Sequence, residues 1–388
     1  MVSSAYLTHA ASAVSALQQW YNQTTGLWDS TGWWNSANCL TVVADYASLD
    51  PAYVPQAVDV FQNTLIAAQR TNVQSAKVYS PKRLELLGNL TGRGQGQPHQ
   101  PRQDSNLFML GPTSQSSPGF LNDFYDDEGW WALAWIRAYD VTQDPTYLST
   151  AESIFEDMIK GWGNNSCEGG LWWDKGQNYI NAIANELFLS VAAHLVNRVD
   201  DPNKKYQYLN WALKEWSWFQ GTQMINSNSR INDGIDNVTC LNNHGIVWSY
   251  NQGVILGGLV ELSKASPNPS YLSTAASIAN AAISWLCDAQ GILHDPCEPS
   301  CVGDGEQFKG IFMRNLYYLW EANPQDLYLQ TIKKNADSIW ANDRDIYSGH
   351  FGQVWSGPYT ECTAGGHASA TDAIIAAAKI DNHTRGAG

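Results

Sequence analysis

Residues 130–160 read WWALAWIRAYDVTQDPTYLSTAESIFEDMIK. Two helical patterns meet in this stretch at one punctuation mark, Asp144-Pro145, followed by Tyr147-Leu148. Asp accepts from the free amides of a first helical turn, and Pro fits there because it has no amide to satisfy. The mark therefore opens a helix over Tyr147 to Lys160, behind an earlier one over Asp127 to Tyr139. It recurs along the chain as Asp50-Pro51, Asp201-Pro202, Asn268-Pro269 and Asn323-Pro324. The Tyr-Leu pair returns as Tyr208-Leu209 and Tyr271-Leu272. The marks divide Ala182 to Val196 from Tyr206 to Phe219, Tyr250 to Ser263 from Tyr271 to Cys287, and Gly310 to Glu321 from Leu327 to Trp340. Ser4 to Trp20 and Leu40 to Leu49 begin the series, and Ala368 to Ile380 ends it.

The repeating unit is thus a helical hairpin of about 55 to 65 residues, which buries its apolar face by stacking on its neighbours. Several first helices are dense in Ala and Gly between large apolar residues, as in WWALAWI, NAIANELFLSVAAHL and GVILGGLVEL. Small residues let helices approach closely. The fold class is all-α. Six hairpins closed in a ring would make an (α/α)6 barrel, with ligand held by the helix-start loops, and an open superhelix is the alternative that periodicity leaves standing. One domain over residues 1–388 is expected, with an irregular insertion at 88–119 rich in Gly, Gln, Pro and Ser. That insertion carries Arg93, His99 and Arg102, and is locally basic.

The chain has 388 residues, 15% charged and 44% hydrophobic, with a net charge of −15. Its 22 Lys and Arg are scattered, so it lacks the clustered cations that phosphate contacts need, and nucleic acid is excluded as a partner. Eighteen Trp and eighteen Tyr are an excess over ordinary core needs. Flat aromatic faces with a polar rim suit the C–H faces and hydroxyls of sugars, and the bland alternative is Trp packed between helices.

Seven Cys and Asn-x-Ser/Thr sequons at Asn22, Asn89, Asn164, Asn237 and Asn382 favour an oxidising, secretory setting. A bridge is expected in the Pro-rich loop holding Cys297 and Cys301, near Cys287, and the odd total leaves a free or intermolecular thiol. The opening MVSSAYLTHAASAVSALQQWY lacks the basic end and apolar run of a signal peptide and reads as an amphipathic helix, so a mature or trimmed soluble form is expected. No segment reaches the apolar length of a membrane span. A secreted or cell-wall monomer follows, without metal, cofactor or membrane as partner; the His are dispersed and the acids lack calcium-loop spacing.

Phe124-Tyr125-Asp126-Asp127-Glu128-Gly129-Trp130-Trp131 is the sharpest constellation. Acids in a first turn favourably meet the helix dipole, and that alone could explain them. Their crowding costs mutual repulsion, however, and Tyr125, Trp130 and Trp131 flank them as at a sugar site. Glycoside hydrolysis needs one ionised carboxylate and one protonated acid, about 5 to 5.5 Å apart in retaining enzymes. Adjacent residues at a helix start can supply both, because repulsion favours the proton on one while amide donors favour charge on the other. Three further motifs are GGLWWDK from Gly169 with Asn181, Asn185 and Glu186; Arg230-Ile231-Asn232-Asp233-Gly234 with Tyr250-Asn251-Gln252; and Phe308-Lys309-Gly310 with Arg314. Their amides are ordinary helix caps or groups suited to sugar hydroxyls. Lys309 reads as a surface lysine at a helix start.

Taken in order, YDDEGWWALAWI, GGLWWDK with NAIANELFL, the Asp-Gly before a Cys, SYNQG, and FKGIF with Arg314 resemble glycoside hydrolase family 76, the endo-α-1,6-mannanases, from about Ala5 to Ala378. The resemblance implies an (α/α)6 barrel and retaining hydrolysis of α-1,6-mannan, with Asp126 as nucleophile and Asp127 as general acid/base. It implies Asp233 as a sugar-binding carboxylate, with Asn181, Tyr250, Asn251 and Gln252 near the groove. Tyr125, Trp130, Trp173 and Lys309 complete the expected substrate-binding set. A transglycosylase acting on wall or anchor glycans, and a non-catalytic mannan-binding wall protein, are the alternatives.

Overall fold

The computed structural model describes residues 5–72 and 119–386, with side chains to Thr384. The 88–119 insertion lies outside them except for Gly119. Twelve α-helices are present among the described residues. They are α1 Ala5–Leu17, α2 Trp33–Leu49, α3 Val54–Thr71, α4 Tyr125–Thr142, α5 Pro145–Gly161, α6 Ala182–Val196, α7 Pro202–Gly221, α8 Ser249–Ala265, α9 Pro269–Leu286, α10 Phe308–Ala322, α11 Asp326–Asn342 and α12 Ala364–Gly386. A two-stranded hairpin pairs Tyr21–Asn22 with Leu27–Trp28 between α1 and α2.

The punctuation marks do what their chemistry requires. The side chains of Asp144, Asp201 and Asn268 accept from the amides two residues on and cap α5, α7 and α9, with Pro in the first turn of each. Asp50 does the same for a short 3-10 turn that leads into α3. The fifth mark departs from expectation: Asn323 ends α10, and α11 starts behind Gln325 without a side-chain cap.

Even-numbered helices form an inner ring and odd-numbered helices an outer one. Contacts run α2–α4–α6–α8–α10–α12 and return from α12 to α2, so the ring closes as an (α/α)6 barrel and not as an open superhelix. Burial tells the layers apart. Every residue of α6 is buried, as befits a helix with neighbours on all sides. On α5 the buried residues are Tyr147, Leu148, Ala151, Ile154, Phe155, Met158 and Gly161, a single stripe facing inward. Glycine permits the tight inner contacts: a Cβ on Gly310 would stand 2.4 Å from the Ser369 carbonyl oxygen of α12, and one on Gly253 would stand 2.6 Å from the Phe312 Cα of α10.

The inner helices all start at one mouth of the ring. Turns from an inner helix to its outer partner are short, while the returns (162–181, 222–248, 287–307 and 343–363) are long and gather at the inner N-termini. Among the described residues no helix is long and apolar enough to cross a membrane.

Candidate active site

The mouth has an aromatic floor. Trp130 of α4 stacks on Trp34 of α2 at 5.4 Å, Trp34 meets Phe308 of α10 at 6.4 Å, and Phe308 stacks on Tyr250 of α8 at 3.8 Å. Four inner helices thus contribute rings to one layer. Trp130 lies three and four residues after Asp127 and Asp126, hence on their side of the helix. Trp131 and Trp135 lie instead against Phe120, at 4.7 and 5.0 Å, in the core between layers.

Asp126 and Asp127 occupy the first turn of α4, with relative exposures of 8% and 3%. Each carboxylate has its own donor. Asp126 accepts from the Trp173 indole Nε1 at 2.9 Å and from the Asp127 amide at 2.9 Å. Asp127 accepts from the Asn122 side-chain amide at 2.6 Å. The N-cap residue, Phe124, has no polar side chain, and Asn122 organises the helix start in its place. Its Oδ1 accepts from the Phe124 amide at 2.9 Å, and its own amide donates to Glu128 at 3.1 Å.

The crowding of acids is relieved by division. Glu128 is fully buried and turns to Lys175 at 2.7 Å, and Lys175 also pairs with Asp157 at 2.6 Å. Burial pushes the Glu128 carboxyl upward, and Lys175 pulls it back. Asp174 is raised by burial, with the charge of Asp126 adding to the effect. The ring of Tyr125 packs against Gly161, beneath Lys175 at 5.3 Å, so this residue supports the α4 start from its outer side.

Asp233 lies on the neighbouring return loop. It accepts from the Tyr179 hydroxyl at 2.9 Å, and Asn243 donates to that hydroxyl at 2.8 Å. Asn181 caps α6 through the Ala184 amide. The Asp233 carbonyl accepts from the Ala182 amide at 2.7 Å, and the Trp173 amide donates to Tyr179 at 2.7 Å. The Cys167–Cys240 disulfide ties the same two loops, so the arms carrying Trp173 and Asp233 form one unit. A second bridge joins Cys297 to Cys301, in the loop where a bridge is expected though the sequence leaves the pairing open, and Cys39, Cys287 and Cys362 are free thiols.

Two of the expected amides behave differently. The fully buried Gln252 clamps the backbone of Ile231, accepting from its amide at 2.8 Å and donating to its carbonyl at 2.9 Å, and so holds the Asp233 loop. Asn251 is fully buried and makes no side-chain hydrogen bond among the described residues. Lys309 is not a surface lysine. It is 3% exposed, pairs with Glu298 at 2.5 Å, donates to the Gln353 carbonyl at 2.7 Å and lies 4.2 Å from the centre of the Trp355 ring. It joins two rim loops, because a buried ammonium needs a carboxylate and acceptors around it. Among the described residues no three His, Cys, Asp or Glu converge as a metal site requires.

Asn122 and Tyr179 were not singled out in the sequence. An Asx residue just before an uncapped acidic helix start was the available signal for the first, and Tyr179 had none.

The class so defined is an (α/α)6 barrel with adjacent aspartates, separately hydrogen-bonded, at the mouth of its inner ring. The chain belongs to glycosyl hydrolase family 76, whose profile matches residues 95–385. Similar proteins include the mannan endo-1,6-alpha-mannosidases DCW1 of Candida albicans and of Saccharomyces cerevisiae. Both are 27% identical over 237 residues, 56% of this chain and 50% or 49% of the relative. The chain thus matches about half the length of these curated relatives.

Among solved structures, an inactive variant of an alpha-1,6-mannanase of Salegentibacter sp. HEL1_6, altered at two consecutive aspartates and in complex with alpha-1,6-mannotriose, has a TM-score of 0.75 at 19% identity, covering 97% of this chain and 99% of that one. Dfg5 from Chaetomium thermophilum in complex with glucosamine has a TM-score of 0.72 at 17% identity, covering 97% and 90%. These likenesses establish the fold.

Proposed function

We propose that this chain is a retaining glycoside hydrolase that cleaves α-1,6-mannosidic linkages within mannan. The observation that carries the reading is the Asp126–Asp127 pair at the inner-ring mouth, each member held by its own donor. The family membership, the mannan endo-1,6-alpha-mannosidase relatives, and the solved mannanase inactivated at consecutive aspartates support it.

Asp126 takes the nucleophile's part. Two N–H donors, the Trp173 indole and the Asp127 amide, hold its carboxyl group in place at the first turn of α4. Its oxygen attacks the anomeric carbon, and the departing glycosidic oxygen takes the proton carried by Asp127. A glycosyl-aspartate ester remains. Asp127, now a carboxylate, takes a proton from water as the water oxygen attacks the same carbon, which frees Asp126 and the reducing end. The buried aromatic layer gives the groove a rigid base, and Asp233, Asn181 and Trp173 supply polar groups around the bound chain. If a sugar hydroxyl replaces water in the second step, the same pair performs transglycosylation. Two disulfides support a secreted or cell-wall setting, with a monomer as the working form.

Asp126→Asn and Asp127→Asn are each expected to abolish release of manno-oligosaccharides from unbranched α-1,6-mannan while the circular dichroism spectrum stays that of the parent. Full activity in either variant refutes the assignment. Product analysis with an added acceptor glycan separates hydrolysis from transfer.

A further inference from the structure

The opposite mouth of the barrel holds a cavity of 760 Å³. Its wall comes from the C-terminal halves of all six inner helices, including Leu49, Asp140, His194, Lys264, Glu321 and Lys379, with Arg198 just past the end of α6. It therefore lies at the far end of the ring from Asp126, beyond the aromatic floor. Its volume falls within the ~300–1,000 Å³ usual for small-molecule sites.

A belt of ion pairs surrounds it. Asp45 binds Arg137 at 2.5 Å and Lys379 at 2.7 Å; Asp140 binds Arg137 at 2.8 Å and Arg198 at 2.7 Å; Glu261 binds Arg198 at 2.9 Å and Lys264 at 2.9 Å. The cations suit their place, since six helix C-termini direct carbonyl groups to this mouth. A belt that served only to close the ring would be free to pack shut, because interiors are close-packed. This one leaves room for a ligand.

The chemistry selects the ligand. Each of the belt's four cations is already paired with one of its three carboxylates, and Glu321 on the wall, which accepts from the Tyr317 hydroxyl, brings the charges to balance, so an ionic guest competes with contacts already made. A hydroxyl does not face that choice: it donates to a carboxylate and accepts from a neighbouring guanidinium or ammonium at once. His194 adds an acceptor on the wall. Its Nδ1 lies 2.7 Å from the Ser190 carbonyl and donates to it, which leaves Nε2 as a lone-pair nitrogen. Tyr317 also lines the wall, and its hydroxyl donates to Glu321 at 3.1 Å.

We infer that this cavity is a second saccharide site, taking a neutral, hydroxyl-rich ligand of a few hexose units at the end of the barrel away from Asp126 and Asp127. It uses no residue of the candidate active site. Only the choice of a mannose-based probe rests on the proposed function.

The test is an NMR titration of the full chain carrying Asp126→Asn and Asp127→Asn with α-1,6-mannotriose, repeated with Ala322→Trp or Ser48→Trp added. Both added positions are exposed and line the cavity, so a bulky ring there fills the mouth without disturbing the core. The expected result is a binding event that either tryptophan weakens at least tenfold and Trp173→Ala leaves in place. Ala322→Trp in the otherwise unaltered chain should leave mannan hydrolysis unchanged. Absence of any event sensitive to Ala322→Trp or Ser48→Trp overturns the inference. So does binding of spermidine or inorganic phosphate at this cavity in place of the saccharide. Failure of the hydrolase reading appears separately, as full activity in the Asp126 or Asp127 variants.

Discussion

Replacing Trp173 by Phe isolates one interaction. Phe keeps a ring of similar placement next to Phe124, 5.1 Å away between centroids, but removes the Nε1–H that reaches Asp126 at 2.9 Å. Asp126 is only 8% exposed, so bulk water has little access to replace the lost donor. A hydrogen bond to a charged acceptor contributes about 1.5–3 kcal/mol. If the bond holds the carboxylate in its attacking position, that loss belongs to the transition state and appears as roughly a 10- to 150-fold fall in kcat at nearly constant KM. The assay is initial-rate release of reducing ends from unbranched α-1,6-mannan over a range of concentrations, with thermal unfolding as the fold control. A kcat within twofold of the parent refutes the positioning role. A loss confined to KM also refutes it, and assigns Trp173 to sugar stacking alone.

The Cys167→Ser, Cys240→Ser double variant opens a loop of sequence separation 73, which the chain-entropy argument values at ~4 kcal/mol. A lower denaturant midpoint with raised KM is expected, because the joined arms carry Trp173 and Asp233; an unchanged KM would show that the arms hold without the bridge. His367 predicts an acid-side loss of stability. It is fully buried, its Nε2 donates to the Ala13 carbonyl at 2.8 Å, and its Nδ1 accepts from the Phe351 amide at 3.1 Å, so both nitrogens are used by the neutral ring. Burial lowers it to about 4. The unfolded chain takes up that proton near pH ~6.5 and the folded chain only near 4, so stability present at neutral pH falls between these values, by on the order of 3 kcal/mol. Thermal melts from pH 7 to 4.5 should show the fall, and His367→Gln should lessen its slope; equal slopes would refute the assignment to this residue.

The aromatic excess shows how a compositional signal divides on folding. Trp28, Trp131, Trp135 and Trp355 are among the largest fully buried side chains and serve the core. Trp130 and Trp173 stand at the mouth. Adjacent letters in Trp130-Trp131 thus go to different layers, since neighbouring positions on a helix point about 100° apart. Lys309 is the counterpart among the charges. A lysine at a helix start reads as solvent-facing, and its burial depends on Glu298 and Gln353 arriving from two separate loops.

Local chemistry settled the hairpins from the sequence alone. A capping carboxylate or amide, a proline beside it, and an apolar period of three to four act within a few residues, so Asp144, Asp201 and Asn268 could be read as helix starts without knowledge of the rest. The acidic pair could be located in the same way, at the head of α4. Contacts between residues far apart in the chain decided what remained. Closure of α12 on α2 turned a row of hairpins into a ring. Trp173 reached Asp126 across 47 residues, and the two mouths acquired different chemistry because all inner helices run in one direction. Such contacts form through space between surfaces that only the folded ring brings together, so no local pattern of residues records them.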